Sequence, residues 1–185
     1  MAFDGGVPGN ISDLENIADG LIQRYNITGL AGAVGMYKHV TAKRIGTQDQ
    51  PTAYELVISG MLALDPKGEL VGPGDYKAQT RQIMDNIALA ITRAARFHGL
   101  EMTIDQALSY VTDTNVMLAE MGDGMANFRA VNEAYKEGGM PAAARVAAGG
   151  YELPLAAKGV LVEIRANAVI PAPYKPTGQG HGSET

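Results

Sequence analysis

Apolar residues recur every third or fourth position through residues 76–98, with Ile83, Ile87, Ala90, Ile91, Ala94 and Phe97 on one stripe, which predicts a long amphipathic helix. Gly99 follows where a left-handed residue ends a helix. Phe128, Val131 and Tyr135 mark a second helix over 123–137. Near the start, Ser12-Asp13-Leu14-Glu15 has the form of a capping box, and Leu14, Ile17, Leu21, Ile22 and Tyr25 continue at helical spacing. That pattern predicts an N-terminal amphipathic helix of about three turns, docked by one face on the main body or on a neighbouring subunit. Strands are predicted at 30–40 and 55–64, joined as a hairpin whose long polar tip runs through Gly46, Thr47, Gln48, Asp49, Gln50 and Pro51. A further strand is expected at 112–118, introduced by a short helical turn at 104–108.

The last apolar run, 159–171, alternates. Period two puts Val160, Val162, Ile164 and Ala166 on one face and Leu161, Glu163, Arg165 and Asn167 on the other. The aliphatic face suits a layer of helices. The other mixes charge with Leu161, which fits a junction between subunits better than plain core or plain surface. Residues 1–11 and 172–185 have the composition of loose ends.

A length of 185 residues fits one compact domain with short appendages: an extension over 1–29, the main domain over 30–171 and a tail over 172–185. With 20 acidic against 15 basic side chains and a net charge of -5, nucleic acid is a poor partner. The absence of cysteine removes disulfides, thiolate metal sites and a cysteine nucleophile together. His39, His98 and His181 lack metal-ligand spacing, so no metal is expected. No apolar run approaches a membrane span, and the first residues lack a signal pattern; a cytoplasmic location is the expectation.

Arg145 stands out within Pro141-Ala142-Ala143-Ala144-Arg145-Val146-Ala147, because an arginine among small apolar residues is costly to enclose without an anionic partner. Glu163, flanked by aliphatic residues on the following strand, is the natural second member. Such a pair can seat a small carboxylate and a water. The same residues also allow a plain ion pair between Arg145 and Glu163, or pairing of Glu163 with Arg165 or Lys158 at the surface.

Those residues, together with Val57-Ile58-Ser59-Gly60, Leu64-Asp65-Pro66, Ala78-Gln79-Thr80-Arg81-Gln82 and Val131-Asn132, resemble the RidA (YjgF) family of enamine and imine deaminases over roughly residues 35–171. The resemblance implies an α+β fold of the RidA/chorismate-mutase type, a two-layer mixed sheet packed against two main helices, assembled as a homotrimer with active sites between subunits. It implies hydrolysis of a 2-imino acid or its enamine to a 2-oxo acid and ammonia, without a cofactor. In that scheme Arg145 holds the substrate carboxylate, while Glu163 orients and deprotonates water. Ser59, Tyr37, Asn132 and Ala147 match substrate-binding positions, Ala147 through its backbone amide. The longer interval from Tyr37 to Ser59 leaves Tyr54 as an alternative for the pocket tyrosine.

Extra residues at 41–53, 101–110 and 121–127 suggest a pocket rebuilt for something larger, such as an aminomuconate-like dicarboxylate. Lys38, Arg44 and Arg81 are candidates for its second carboxylate. The competing readings are a lyase acting on an amino-substituted aromatic acid and a non-catalytic trimer that binds a metabolite or protein.

Overall fold

The computed structural model of the chain describes residues 11–33, 35–141 and 143–173. Two antiparallel strands, β1 (Ile11–Ile17) and β2 (Ile22–Ile27), lead by a loop into the hairpin of β3 (Val40–Gly46) and β4 (Pro51–Met61). Then come α1 (Tyr76–Phe97), α2 (Ile104–Ser109), β5 (Val111–Leu118), α3 (Ala126–Glu137), β6 (Ala144–Gly149) and β7 (Val162–Pro171). The strands form one sheet in the order β1-β2-β3-β4-β7-β5-β6. Only the β5–β6 pair is parallel, as the crossover through α3 requires; the other pairs are antiparallel.

The helices lie on one face of the sheet, where every second strand residue is buried. Leu56 and Ile58 of β4 and Val162, Ile164, Ala166, Ala168 and Ile170 of β7 meet Ile83, Ile87, Ala90, Ile91 and Ala94 of α1 in a single core. The alternation expected for the last strand is therefore observed. Asp75 caps α1 by accepting hydrogen bonds from the amides of Lys77 and Ala78, and Gly99 takes φ 83° just beyond its end. Inside this helix Gln79 is fully buried and spends both ends of its amide. Its Nε2 donates to the carbonyls of Gly72 and Gly159, and its Oε1 accepts from the amide of Leu161, so one side chain ties α1 to the approach of β7. Asn86 does the same toward β4, donating to the carbonyls of Leu62 and Leu64.

The predicted N-terminal helix is not formed; residues 11–27 are the β1–β2 hairpin, added to the sheet beyond β3. Leu14, Ile17 and Leu21, which made the helical pattern, are 41%, 36% and 36% exposed, whereas Tyr25 and Ile27, two residues apart, are buried against the helices. The hairpin turns at Asp19-Gly20, both at positive φ, and is closed by the amide of Leu21 on the carbonyl of Ala18.

The strand expected at 30–40 is likewise corrected: the described residues before Val40 form no strand, and β3 runs instead from Val40 to Gly46, the first residue of the expected polar tip. The tip shrinks to residues 47–50. At β6 a strand appears where none was predicted, and α3 starts at Ala126 after a single 3-10 turn over Asp123–Met125. The tail expected to be loose lies, from residue 174 onward, outside the described residues, as do residues 1–10.

The two edges of the sheet differ. β1 is broken by a register shift between Ser12 and Glu15, with Asp13 at φ 52°, and its residues are mostly exposed and polar. β6 pairs with β5 in unbroken register and is apolar apart from Arg145.

Candidate active site

Arg145 lies one residue into β6, in register with Thr114 of β5, which faces the helices and is buried. Its guanidinium carbon sits 5.2 Å from the ring centre of Phe128 and 4.9 Å from that of Tyr135, both on α3. Nη2 donates to Oδ1 of Asn132 at 2.6 Å, from the intervening turn of the same helix. Spacing along α3 makes this clamp: Phe128, Asn132 and Tyr135 fall four and three residues apart and share a face. The neighbouring cation works against burial, the main influence on Tyr135, which holds its phenol above the usual tyrosine range.

A guanidinium has five N–H donors, and here one is committed, to a neutral partner. No ion pair engages Arg145 among the described residues. The side chain is held flat with donors to spare beside a cleft of about 460 Å³ lined by Thr114, Asn132, Tyr135, Met140, Pro141 and Ala143. A guanidinium with free donors on one edge has the geometry to take a carboxylate through two parallel hydrogen bonds. Ala147, two residues further on, turns its side chain toward the core.

Glu163 occupies different surroundings. It is in register with Met117 of β5 on the face without helices, half-buried, and its carboxyl lies against Gly60 so closely that a β-carbon there would stand 1.8 Å from Oε1. Lost solvation pushes its pKa above the usual carboxylate range. A carboxyl with a raised pKa holds a proton more readily than a free one.

Ser59, beside Gly60, donates its hydroxyl to the carbonyl of Lys38 at 2.7 Å and its amide to the carbonyl of His39. It thereby fastens the loop that carries Tyr37. His39 fastens the same loop from the other side: Nδ1 accepts from the amide of Ile27 at 3.0 Å, while its own amide donates to Oδ1 of Asn26. Burial depresses the imidazole pKa, keeping the neutral form this acceptor needs. Tyr37 is 43% exposed and, with Ser59, lines a second cleft of about 640 Å³ on the helix-free side. Tyr54 does not take its place; it faces the helices and stacks on His98 with ring centres 3.7 Å apart.

Arg145 and Glu163 do not meet within one copy of the chain. Their register rows are two strands and three residues apart, roughly 14 Å between α-carbons by strand geometry, and the odd offset puts them on opposite faces. The clamp is Arg145 with Asn132, Phe128 and Tyr135; the second group is Glu163, Gly60, Ser59 and Tyr37. Among the described residues no cluster of histidine and carboxylate side chains could hold a metal ion, and no helix is long and apolar enough to cross a membrane.

Residues 52–170 match the family described as Endoribonuclease L-PSP. The chain belongs to this family, the RidA (YjgF) family. The matched segment contains Ser59, Asn132, Arg145, Ala147 and Glu163, while Tyr37 and the β1–β2 hairpin lie ahead of it. A RutC family protein of Pyrococcus horikoshii is 41% identical over 115 residues, 61% of this chain and 77% of that protein. The rat 2-iminobutanoate/2-iminopropanoate deaminase is 32% identical over 117 residues, 62% of this chain and 72% of the enzyme. Among solved structures, RidA from the Antarctic bacterium Psychrobacter sp. PAMC 21119 superposes with a TM-score of 0.56 at 28% identity, covering 77% of this chain and 94% of that one.

Proposed function

We propose that the chain hydrolyses a 2-imino acid, or its enamine tautomer, in a cleft completed by a second copy. Arg145 of one copy grips the substrate carboxylate through two parallel charge-assisted hydrogen bonds, each worth roughly 1.5–3 kcal/mol. Glu163 of an adjoining copy takes a proton from water as the oxygen attacks the imine carbon and passes it to the nitrogen, then moves the second proton from the new hydroxyl to the nitrogen as the C=O forms and the C–N bond breaks. The products balance as the 2-oxo acid and ammonia. The imine carbon is already electrophilic, so the residues present suffice.

The observation that carries this reading is the clamped guanidinium with uncommitted donors. The opposite placement of Glu163 makes a closed assembly part of the mechanism, and a homotrimer is the form proposed. Its junction would use the helix-free face, where Val57, Met117, Val146 and Val169 stand beside Asp113, Asn115 and Arg165. The family's name speaks of an endoribonuclease, but a net charge of -5 favours a small acid over a polyanion. One observation favours a non-catalytic metabolite-binding trimer: the anion clamp is complete without Glu163.

The deciding experiment measures ammonia release from freshly generated 2-iminopropanoate. Acceleration over buffer by the native chain, lost in Arg145→Ala and reduced at least a hundredfold in Glu163→Gln, supports the hydrolase. Binding of pyruvate without acceleration selects the binding protein.

A further inference from the structure

The cleft on the helix-free side is larger than a three-carbon acid needs, and its far wall is cationic. Arg24 of β2 is in register with Thr41 of β3 on that face, and both line the cleft with Asn26, Lys38, Tyr37 and Ser59. The Arg24 guanidinium is exposed and makes no hydrogen bond or ion pair among the described residues. The arginines expected to serve a second carboxylate are engaged elsewhere: Arg44 donates to the carbonyl of Gly20, and Arg81 pairs with Glu137. Lys38 does line the cleft, but Glu15 approaches its Nζ at 3.6 Å. Two cations against one carboxylate leave the cleft net positive in a chain that is net negative. Both cations, and the hairpin that brings Arg24, lie ahead of the segment matching the family.

We infer that the β1–β2 hairpin makes this a site for dicarboxylic imino acids, with Arg24 receiving the distal carboxylate. The inference rests on the hydrolase reading, since it takes Tyr37 and Ser59 as one end of the substrate cleft. Arg24 is two strands and two residues from Ser59, roughly 12 Å between backbones, a span its long side chain shortens from the far side. Thr41 and Asn26 line the approach with neutral polar groups, and Glu15, the cross-strand neighbour of Arg24 in β1, supplies the one carboxylate, which is paired with Lys38. A monocarboxylic imino acid leaves Arg24 solvated and gains nothing from it, so the residue sets specificity rather than chemistry.

The test compares 2-iminoglutarate and 2-iminopropanoate, made in situ by oxidase action on glutamate and alanine, in the native chain and in Arg24→Ala and Arg24→Glu. The ratio of kcat/KM for the dicarboxylic over the monocarboxylic substrate is expected to fall at least tenfold in Arg24→Ala and further in Arg24→Glu. An unchanged ratio overturns the inference. If neither imino acid is hydrolysed faster than in buffer, the hydrolase reading fails, and calorimetry with 2-oxoglutarate then decides the inference separately. Tighter binding of 2-oxoglutarate than of pyruvate, lost in Arg24→Ala, supports it; no such preference overturns it.

Discussion

Arg145 is held by two rings and one amide oxygen, so its orientation survives without a counter-charge. Lysine keeps the charge but loses the planar fork, and Arg145→Lys should raise KM at least tenfold in the ammonia-release assay. In the proposed reaction Glu163 is the titrating partner. Its active form is the carboxylate, and lost solvation raises the pKa, so the rate should climb with pH through a point above the ordinary carboxylate range. A kcat/KM profile with its acid limb there, absent in Glu163→Gln, is the expected result. Gly60 offers an independent handle. A methyl at Gly60 would overlap the Glu163 carboxyl, whose flexible end can swing aside, so Gly60→Ala should fold normally by circular dichroism yet lose at least tenfold in kcat. Arg145 was legible in the sequence because a lone cation among small apolar residues is conspicuous. Arg24 was not, since a surface arginine looks like any other until the strand register turns it into a cleft.

The elements show where periodicity is informative. Twenty-two residues of α1 repeat one apolar stripe, cap and stop with few alternatives, and the helix forms as its pattern demands. The first hairpin carries two patterns at once. Leu14, Ile17 and Leu21 recur at helical spacing, but Tyr25 and Ile27 recur at strand spacing, and the neighbouring edge of β3 rewards the second. The Asp19-Gly20 pair was the decisive local signal, because a tight hairpin turn needs positive φ at both positions. Gly20→Val should therefore cost about 1–2 kcal/mol in urea denaturation, the price of a left-handed β-branched residue. β6 escaped prediction for a different reason: its alanines and glycine carry little strand preference, and its place is dictated by the crossover through α3.

At the scale of the whole molecule, the helix layer and the sheet are joined near their rim by a ring cluster. His98, just past α1, stacks on Tyr54 of β4 and touches Phe97, while Tyr25 of β2 packs on Phe97 at 5.3 Å. Burial depresses the His98 pKa from 6.5 to about 4. The folded chain thus refuses a proton that the unfolded chain accepts. The stability is fully present above pH 6.5 and is lost as pH falls toward 4, by about 3 kcal/mol at most. Thermal melts should show that decline, and His98→Phe, which keeps the stack, should flatten it. The assembly is tested by light scattering, where a mass three times 19.5 kDa is expected. Val146 is 65% exposed on the helix-free face, and Val146→Lys should leave separate folded copies without activity.

The unlike edges of the sheet bear on how copies can join. A strand that kinks at Asp13 and presents acids to water rejects a newcomer, whereas the smooth alanine-rich border at β6 could accept one. With a single receptive border, lateral zippering halts once two copies are joined, so fibres cannot grow by that route. The proposed ring of three would instead be cemented through the broad surfaces of its sheets.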